Sequence, residues 1–447
     1  MKTLNLNEFT SSPLKVGMIS LGCEKNRIDA EVMLAKLEDN GFELCAEQEN
    51  CDVIIVHTCT FIDKAKEESI ENILNAASYK TNGNLKKLIV TGCMAERYRD
   101  EIFESVPEVD AVLGSKSFDK ICEAIVSSGD GEKFSHYRPL SDDTPDGERI
   151  LTSPDYSVYL KLADGCSNHC TYCVIPSVRG EFIPRPYENV IKEAKALAAN
   201  GAKEINLIAQ DTTAYPQLCR LIKEVSAIDS VKWVRVLYCR PEEISEELID
   251  LMASEEKFVD YIDVPLQHAS GRVLKLMNRS MDDKSLEKLL NGIRAKVPDV
   301  SLRTTFIAGF PKESDEDYEI LCNFVERLKF DNLGVFTYSR EEGTKASRMH
   351  GQIPQEIKEK RADGIMELQM RLLEEINKKH LGKTYEVLCE GFDEATCLYS
   401  GRAYFQAPDI DGRVYFTSER EHLPGDFVNV KIESVDLYDL MGKETEL

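Results

Sequence analysis

At 447 residues and 42% hydrophobic composition, the chain has length for about three domains with sizeable cores. No apolar run approaches the ~20 residues needed to span a bilayer, and the polar start, Met1–Pro13 with Glu8, does not look like a secretory signal. Fourteen cysteines without export argue for reduced thiols and metal rather than disulfides, in a cytoplasmic enzyme; the net charge of −24 repels phosphate backbones and attracts basic proteins, though it also serves plain solubility.

The first segment alternates apolar runs at Val16–Leu21, Val53–Val56, Leu88–Val90 and Val109–Leu113 with amphipathic stretches such as Ile28–Asn40, which stops before Gly41. Strands alternating with helices imply a doubly wound parallel sheet. Three of these strands end in cysteine, at Leu21-Gly22-Cys23, His57-Thr58-Cys59 and Thr91-Gly92-Cys93. Sites in such folds form outside the carboxyl ends of strands, so Cys23, Cys59 and Cys93 are expected to converge. Each taken alone also reads as a small buried hydrophobe. Ser127–Arg149 is polar and rich in turn residues, which predicts a linker.

A second strand–helix series follows, with strands at Val158–Ala163, Ile205–Ala209, Trp233–Tyr238, Tyr261–Val264, Leu302–Ile307 and Leu333–Thr337, and helices such as Val190–Ala199 and Leu286–Val297. Six units predict a partial (β/α)6 barrel with its site at the C-terminal rim and an open side for a macromolecular substrate. The loop after the first strand is Gly165-Cys166-Ser167-Asn168-His169-Cys170-Thr171-Tyr172-Cys173. Thiolates at a C-x3-C-x2-C spacing can hold three irons of a cubic 4Fe–4S cluster and leave the fourth open. A closed zinc site needs a fourth ligand, and His169 stands poorly for a tetrahedron between two of the cysteines.

Later rim loops are Gln210-Asp211, Cys239-Arg240-Pro241, Pro265-Leu266-Gln267-His268, Gly309-Phe310-Pro311 and Tyr338–Thr344. Their polar and glycine residues fit either cofactor binding or ordinary turn chemistry. His268 reads as a proton shuttle or as a loop histidine held by hydrogen bonds. Cys45, Cys51, Cys122 and Cys322 read as inert core thiols. A charged helix, Pro354–Lys379, leads to a tail with short runs at Thr384–Leu388, Thr396–Tyr399, Arg413–Phe416 and Phe427–Ile432, a small antiparallel β-barrel pattern. From residue 381 onward it carries 6 basic and 14 acidic residues, the wrong sign for an RNA face. The expected α/β multidomain order is thus residues 1–130, a linker over 131–150, a barrel over 151–380 and the tail over 381–447.

The cysteine loop, with Tyr172 before its third cysteine, resembles the signature of the radical S-adenosylmethionine (SAM) superfamily. With Ser20–Asn26, Thr58–Asp63, Thr91–Arg97, Tyr261–His268 and Gly401-Arg402-Ala403-Tyr404, almost the whole chain resembles the methylthiotransferases, radical enzymes that replace C–H by C–SCH3. It departs from their pattern at Glu24, Thr60 and Gly180–Pro186. The resemblance implies a C-terminal TRAM domain, SAM and two 4Fe–4S clusters. One, on Cys166, Cys170 and Cys173, is catalytic and generates the 5′-deoxyadenosyl radical. The other, on Cys23, Cys59 and Cys93, presents sulfur. Tyr172, Gln210, Asp211, Gln267 and Gly309 are the implied SAM contacts. The branch it most resembles methylthiolates the β-carbon of an aspartate in small-subunit ribosomal protein S-twelve. Flavodoxin or ferredoxin would supply electrons to a monomeric enzyme. The alternatives are the sister branch, which modifies a tRNA adenosine, and a non-catalytic iron–sulfur scaffold.

Overall fold

The structure, a computed structural model, describes residues 13–128 and 131–446. The reading of Met1–Pro13 therefore lies, except for Pro13, outside the described residues. The chain packs as two compact units. The first comprises Met1–Ser153, Ala163–Arg185 and Glu341–Thr344, and the second Pro154–Leu162, Pro186–Arg340 and Lys345–Leu447. Among the described residues, no helix is long and apolar enough to cross a membrane.

The first unit is built on a six-stranded parallel sheet of β1 (Lys15–Ser20), β2 (Glu43–Leu44), β3 (Val53–Thr58), β4 (Lys87–Gly92), β5 (Ala111–Leu113) and β6 (Phe134–His136), in the order β2-β1-β3-β4-β5-β6. The strands are apolar on both faces because helices cover both. Val53, Ile55 and Ile89 point to a core shared with helices Glu24–Asp39 and Ile121–Ser127. Their neighbours Ile54, Val56, Leu88 and Val90 point to another, under helix Asp63–Asn82. The sheet is doubly wound, as the alternation predicted.

The stretch expected as a linker contains the edge strand β6 and is held at Leu140, Asp142 and Arg149. Buried Lys116 donates from Nζ to the carbonyls of Leu140 and Asp142, 2.8 Å each. Buried Glu31 pairs with Arg149 at 2.9 Å and accepts from the Thr152 amide at 2.8 Å. Composition read it as open chain because its anchors are charged side chains far away in sequence.

The second unit begins with β7 (Ser157–Lys161), while β8 (Ala163–Asp164) and β9 (Ile183–Pro184) form a short antiparallel pair in the first unit. With β10 (Glu204–Ile208), β11 (Trp233–Val236), β12 (Phe258–Asp263), β13 (Ser301–Ala308) and β14 (Asn332–Thr337), β7 makes an all-parallel sheet in sequential order. This is the partial (β/α)6 barrel. The tail strands β15 (Thr384–Asp393), β16 (Leu398–Ala403), β17 (Val414–Thr417), β18 (Phe427–Asp436) and β19 (Asp439–Glu444) close into a five-stranded barrel. The sequence reading missed β19, whose pairing with β17 is parallel, and it started β16 too early, since Cys397 has φ 56° in the turn before it. Val387, Cys389, Val414, Phe416, Val430 and Ile432 fill the small barrel.

Within the second unit, one buried carboxylate joins the tail barrel to the N-terminal ends of the parallel strands. Glu204 accepts from Arg402 at 2.6 Å, Arg235 at 3.0 Å and Ser157 Oγ at 2.7 Å, and all three charged groups are buried. Arg402 belongs to the Gly401–Tyr404 stretch. Gly401 is needed there because a Cβ would lie 2.3 Å from the Leu388 carbonyl. Burial pushes the Glu204 carboxyl up, but Arg402 and Arg235 outweigh it and hold it at about 2. Glu204→Gln takes the carboxylate partner from buried Arg235 and leaves buried Arg402 with Glu390 alone, and should destabilise the second unit by about 3–5 kcal/mol in denaturant titration. In the unmutated chain, this pair's contribution is complete above the ordinary glutamate value of 4.5 and is lost as pH falls from there toward 2. An acid-unfolding profile that Glu204→Gln leaves unaltered would contradict the assignment.

Candidate functional site

Cys23, Cys59 and Cys93 follow β1, β3 and β4, three adjacent strands, beside the point where the strand order reverses. Two glycines let these ends crowd together. At Gly22, with φ +90°, a Cβ would lie 2.7 Å from Cys59 Cβ, and at Gly92, with φ +98°, it would lie 2.5 Å from the Thr58 carbonyl. The ends are then fastened by one amide. Asn26 Nδ2 donates to the carbonyls of Leu21 and Thr58, 3.0 Å each, and its Oδ1 lies 3.7 Å from Cys93 Sγ. The first turn of helix Glu24–Asp39 thus staples all three cysteine-bearing ends.

Cys59 and Cys93 are buried and Cys23 is exposed. Burial pushes the Cys59 thiol up to about 12, with the Cys93 and Cys23 thiols adding to the rise, so the three lie within electrostatic reach of one another. Burial also raises Cys93, against the pull of the Arg179 guanidinium. A metal bound there would have to expel protons from these thiols. Among the described residues, no group of three or more His, Cys, Asp or Glu side chains gathers tightly enough for one metal ion. The thiolates of a cubic cluster bind separate irons, so an all-sulfur donor set of this kind fits iron–sulfur chemistry.

The cysteine loop lies in the same compact unit. Gly165 has φ +75°, and a Cβ there would lie 2.0 Å from the Glu181 carbonyl, so the chain can enter the loop only through glycine. The Cys166 amide donates to the Gly180 carbonyl at 3.0 Å and the Cys173 amide to that of Cys170 at 3.0 Å. Asn168 Nδ2 donates to Cys166 Sγ at 3.3 Å and the Ile175 amide to Cys173 Sγ at 3.4 Å. N–H groups aimed at sulfur suit thiolates holding iron. His169 turns to Glu181, with Nε2 3.4 Å from its carboxylate. All three cysteines are half-buried.

Sequence reasoning missed the residue that ties Cys93 to the entry of the cysteine loop. Arg179, at the end of the short helix Ile175–Arg179, is buried, and its guanidinium pairs with Asp29 at 2.6 Å and Asp164 at 3.2 Å while Nε donates to Cys93 Sγ at 3.2 Å. Its other terminal nitrogen donates to Asn26 Oδ1. No local pattern marks an arginine whose partners lie up to 153 residues away. Part of the Tyr338–Thr344 loop, read as a rim loop, belongs to the first unit. Glu341 is buried in the first unit on Arg97, at 2.7 Å, and Lys66, at 3.1 Å, and Glu342 accepts from Tyr98 at 2.7 Å.

In the second unit, Gln210 and Asp211 follow β10, Gln267 follows β12 and Gly309 follows β13, so all four stand at the C-terminal edge of one sheet; Tyr172 lies in the first unit. Asp211 Oδ1 accepts from Thr213 Oγ1 at 2.9 Å, which is turn chemistry. Gln267, at φ 73°, donates its amide to Thr305 and accepts from that of Ile307, 2.8 Å each, so its backbone extends the sheet. Gly309 donates to buried Glu313 at 2.9 Å, and a Cβ there would lie 2.3 Å from Lys358 Cγ. His268 is a held loop histidine. It is fully buried, Nδ1 accepts the Ser270 amide at 2.9 Å, and Nε2 lies 3.4 Å from Glu313.

Family comparisons divide the chain in the same order. Residues 15–114 match the uncharacterized protein family UPF0004, 160–325 the radical SAM superfamily and 381–444 the TRAM domain. The fold resembles that of the radical S-adenosylmethionine methyltransferase TsrM from Kitasatospora setae, with a TM-score of 0.55 at 15% identity over 75% of this chain and 77% of that one. The ribosomal protein uS12 methylthiotransferase RimO of Acetivibrio thermocellus is 48% identical over 96% of this chain and 98% of its own. The protein of the same name from Lachnoclostridium phytofermentans is 43% identical over 96% and 99%. At such identity over nearly the full length of both partners, with all three segments present, the chain belongs to the RimO family of radical SAM methylthiotransferases.

Proposed function

We propose that this enzyme methylthiolates the β-carbon of an aspartate on ribosomal protein uS12, and that it does so with two 4Fe–4S clusters. The observation that carries the reading is the gathering of Cys23, Cys59 and Cys93 at adjacent strand ends, in the compact unit that also holds Cys166, Cys170 and Cys173. A radical SAM enzyme that cleaved SAM alone would have no use for the first set. When bound, the two clusters supply the electron that splits SAM into a hydrogen-abstracting radical and the sulfur that is methylated and transferred.

The chain's own residues hold and orient. Cys166, Cys170 and Cys173 hold three irons and leave one for SAM. Cys23, Cys59 and Cys93 would hold the second cluster, which would present the sulfur at its own open iron. Gln210, Asp211, Gln267 and Gly309, at one sheet edge, and Tyr172, on the cluster loop, are the proposed SAM contacts. Close spacing of radical and sulfur is what such transfer requires, since a carbon radical must meet its acceptor before side reactions intervene. The acidic tail, with 6 basic against 14 acidic residues from 381 onward, favours a basic protein substrate over a polyphosphate. A reducing protein of the flavodoxin or ferredoxin type and a monomeric state complete the reading, with domains at 1–130, 151–380 and 381–447.

Anaerobic reconstitution should load about eight irons per chain, and a value near four would remove the second cluster. Cys170→Ala should abolish SAM cleavage, whereas Cys59→Ala should retain abortive cleavage and form no methylthio product. Methylthio transfer at the normal rate by Cys59→Ala would refute sulfur delivery from that triad. Mass analysis of reconstituted reactions should show one methylthio group gained on uS12. A gain on tRNA alone would move the substrate to the sister branch.

A further inference from the structure

Arg179 is more than a structural ion pair. Its guanidinium meets two carboxylates, Asp29 at 2.6 Å and Asp164 at 3.2 Å, but spends its Nε on the sulfur of Cys93 at 3.2 Å. The backbone beside it is equally committed. The Gly180 carbonyl takes the Cys166 amide at 3.0 Å, and the Val178 carbonyl takes the Ser115 hydroxyl at 2.5 Å. Gly180, at φ +81°, has no room for a Cβ, which would lie 2.4 Å from the Leu140 carbonyl. One short segment therefore grips a sulfur of one triad with its side chain and the amide of a cysteine of the other with its backbone.

We propose that Arg179 is a positioning residue that sets the reduction potential of the group held by Cys23, Cys59 and Cys93. An N–H bond to a ligand sulfur and a nearby positive charge both stabilise the more negative, reduced state, so Arg179 raises the potential. Asp29 and Asp164 temper it, since each adds negative charge close to the same sulfur. The arrangement is one cation balanced between two anions, and this fixes the sign of each substitution. Removing the guanidinium lowers the potential. Neutralising Asp29 raises it. A lysine at 179 keeps the charge but loses the planar fork that reaches Cys93, Asn26 and the two carboxylates together.

The inference rests on the reading of Cys23, Cys59 and Cys93 as cluster ligands, and the test separates the two. The full-length chain carrying Cys166→Ala, Cys170→Ala and Cys173→Ala is reconstituted anaerobically with iron and sulfide. About four irons per chain in this background support the triad; no bound iron overturns the triad reading and the inference with it. The midpoint potential is then followed by electron paramagnetic resonance during reductive titration, with Arg179→Gln, Arg179→Lys and Asp29→Asn added singly. The expected result is a fall for Arg179→Gln, a smaller fall for Arg179→Lys and a rise for Asp29→Asn. If Arg179→Gln fails to load iron, Arg179→Lys decides in its place, and a fall supports the inference. Full loading with an unchanged potential in the Arg179 variant that decides overturns it, because a purely structural arginine gives no reason for a shift.

Discussion

A guanidinium buried away from water must be neutralised and hydrogen-bonded, or it destabilises the fold around it. In this chain that constraint falls on Arg179, and satisfying it gathers groups from three places in the sequence. Asp29 and Asn26 come from the helix after the first strand, Cys93 from the end of the fourth, and Asp164 from the entry to the cysteine loop. Asn26 in turn holds the carbonyls of Leu21 and Thr58. The three strand ends and the loop are thereby fixed against a single cation. The proposed chemistry needs thiols presented in two sets with defined positions, and this charge network supplies the fixity that flexible loops lack.

A second buried network does a different job. Glu204, Arg235 and Arg402 sit where the tail barrel meets the starts of the parallel strands, at the end of the sheet opposite Gln210, Gln267 and Gly309. In β/α barrels the carboxyl ends of the strands carry the chemistry and the other ends carry stability. The tail thus attaches through charged groups that are hard to replace singly, and the edge bearing the proposed SAM contacts stays clear of that attachment. The same economy appears at His268 and Glu313. The carboxylate holds the Gly309 and Phe310 amides, and the histidine is locked beside it by the Ser270 amide. Both are supports for a loop.

Much of this was legible in the chain before any coordinates. Alternating apolar runs gave the doubly wound sheet and the six-unit partial barrel because burial on both faces leaves an unbroken hydrophobic signature. The spacing of Cys166, Cys170 and Cys173 is local, so the sequence alone determined that loop. The placing of Cys23, Cys59 and Cys93 at strand ends was readable for a related reason, since strand ends in a parallel sheet lie along one edge.

Only the tertiary structure decided the rest. Ser127–Arg149 looked like open linker, yet it contributes an edge strand and is held by Lys116 and Glu31. Arg179 carried no pattern at all, Glu341 read only as part of a rim loop, and His268 left two roles open. The physical reason is the same in each case. Hydrophobic periodicity is written along the chain, at intervals fixed by helix and strand geometry. The partner of a buried charge is chosen by the fold, across distances in sequence that no local period records.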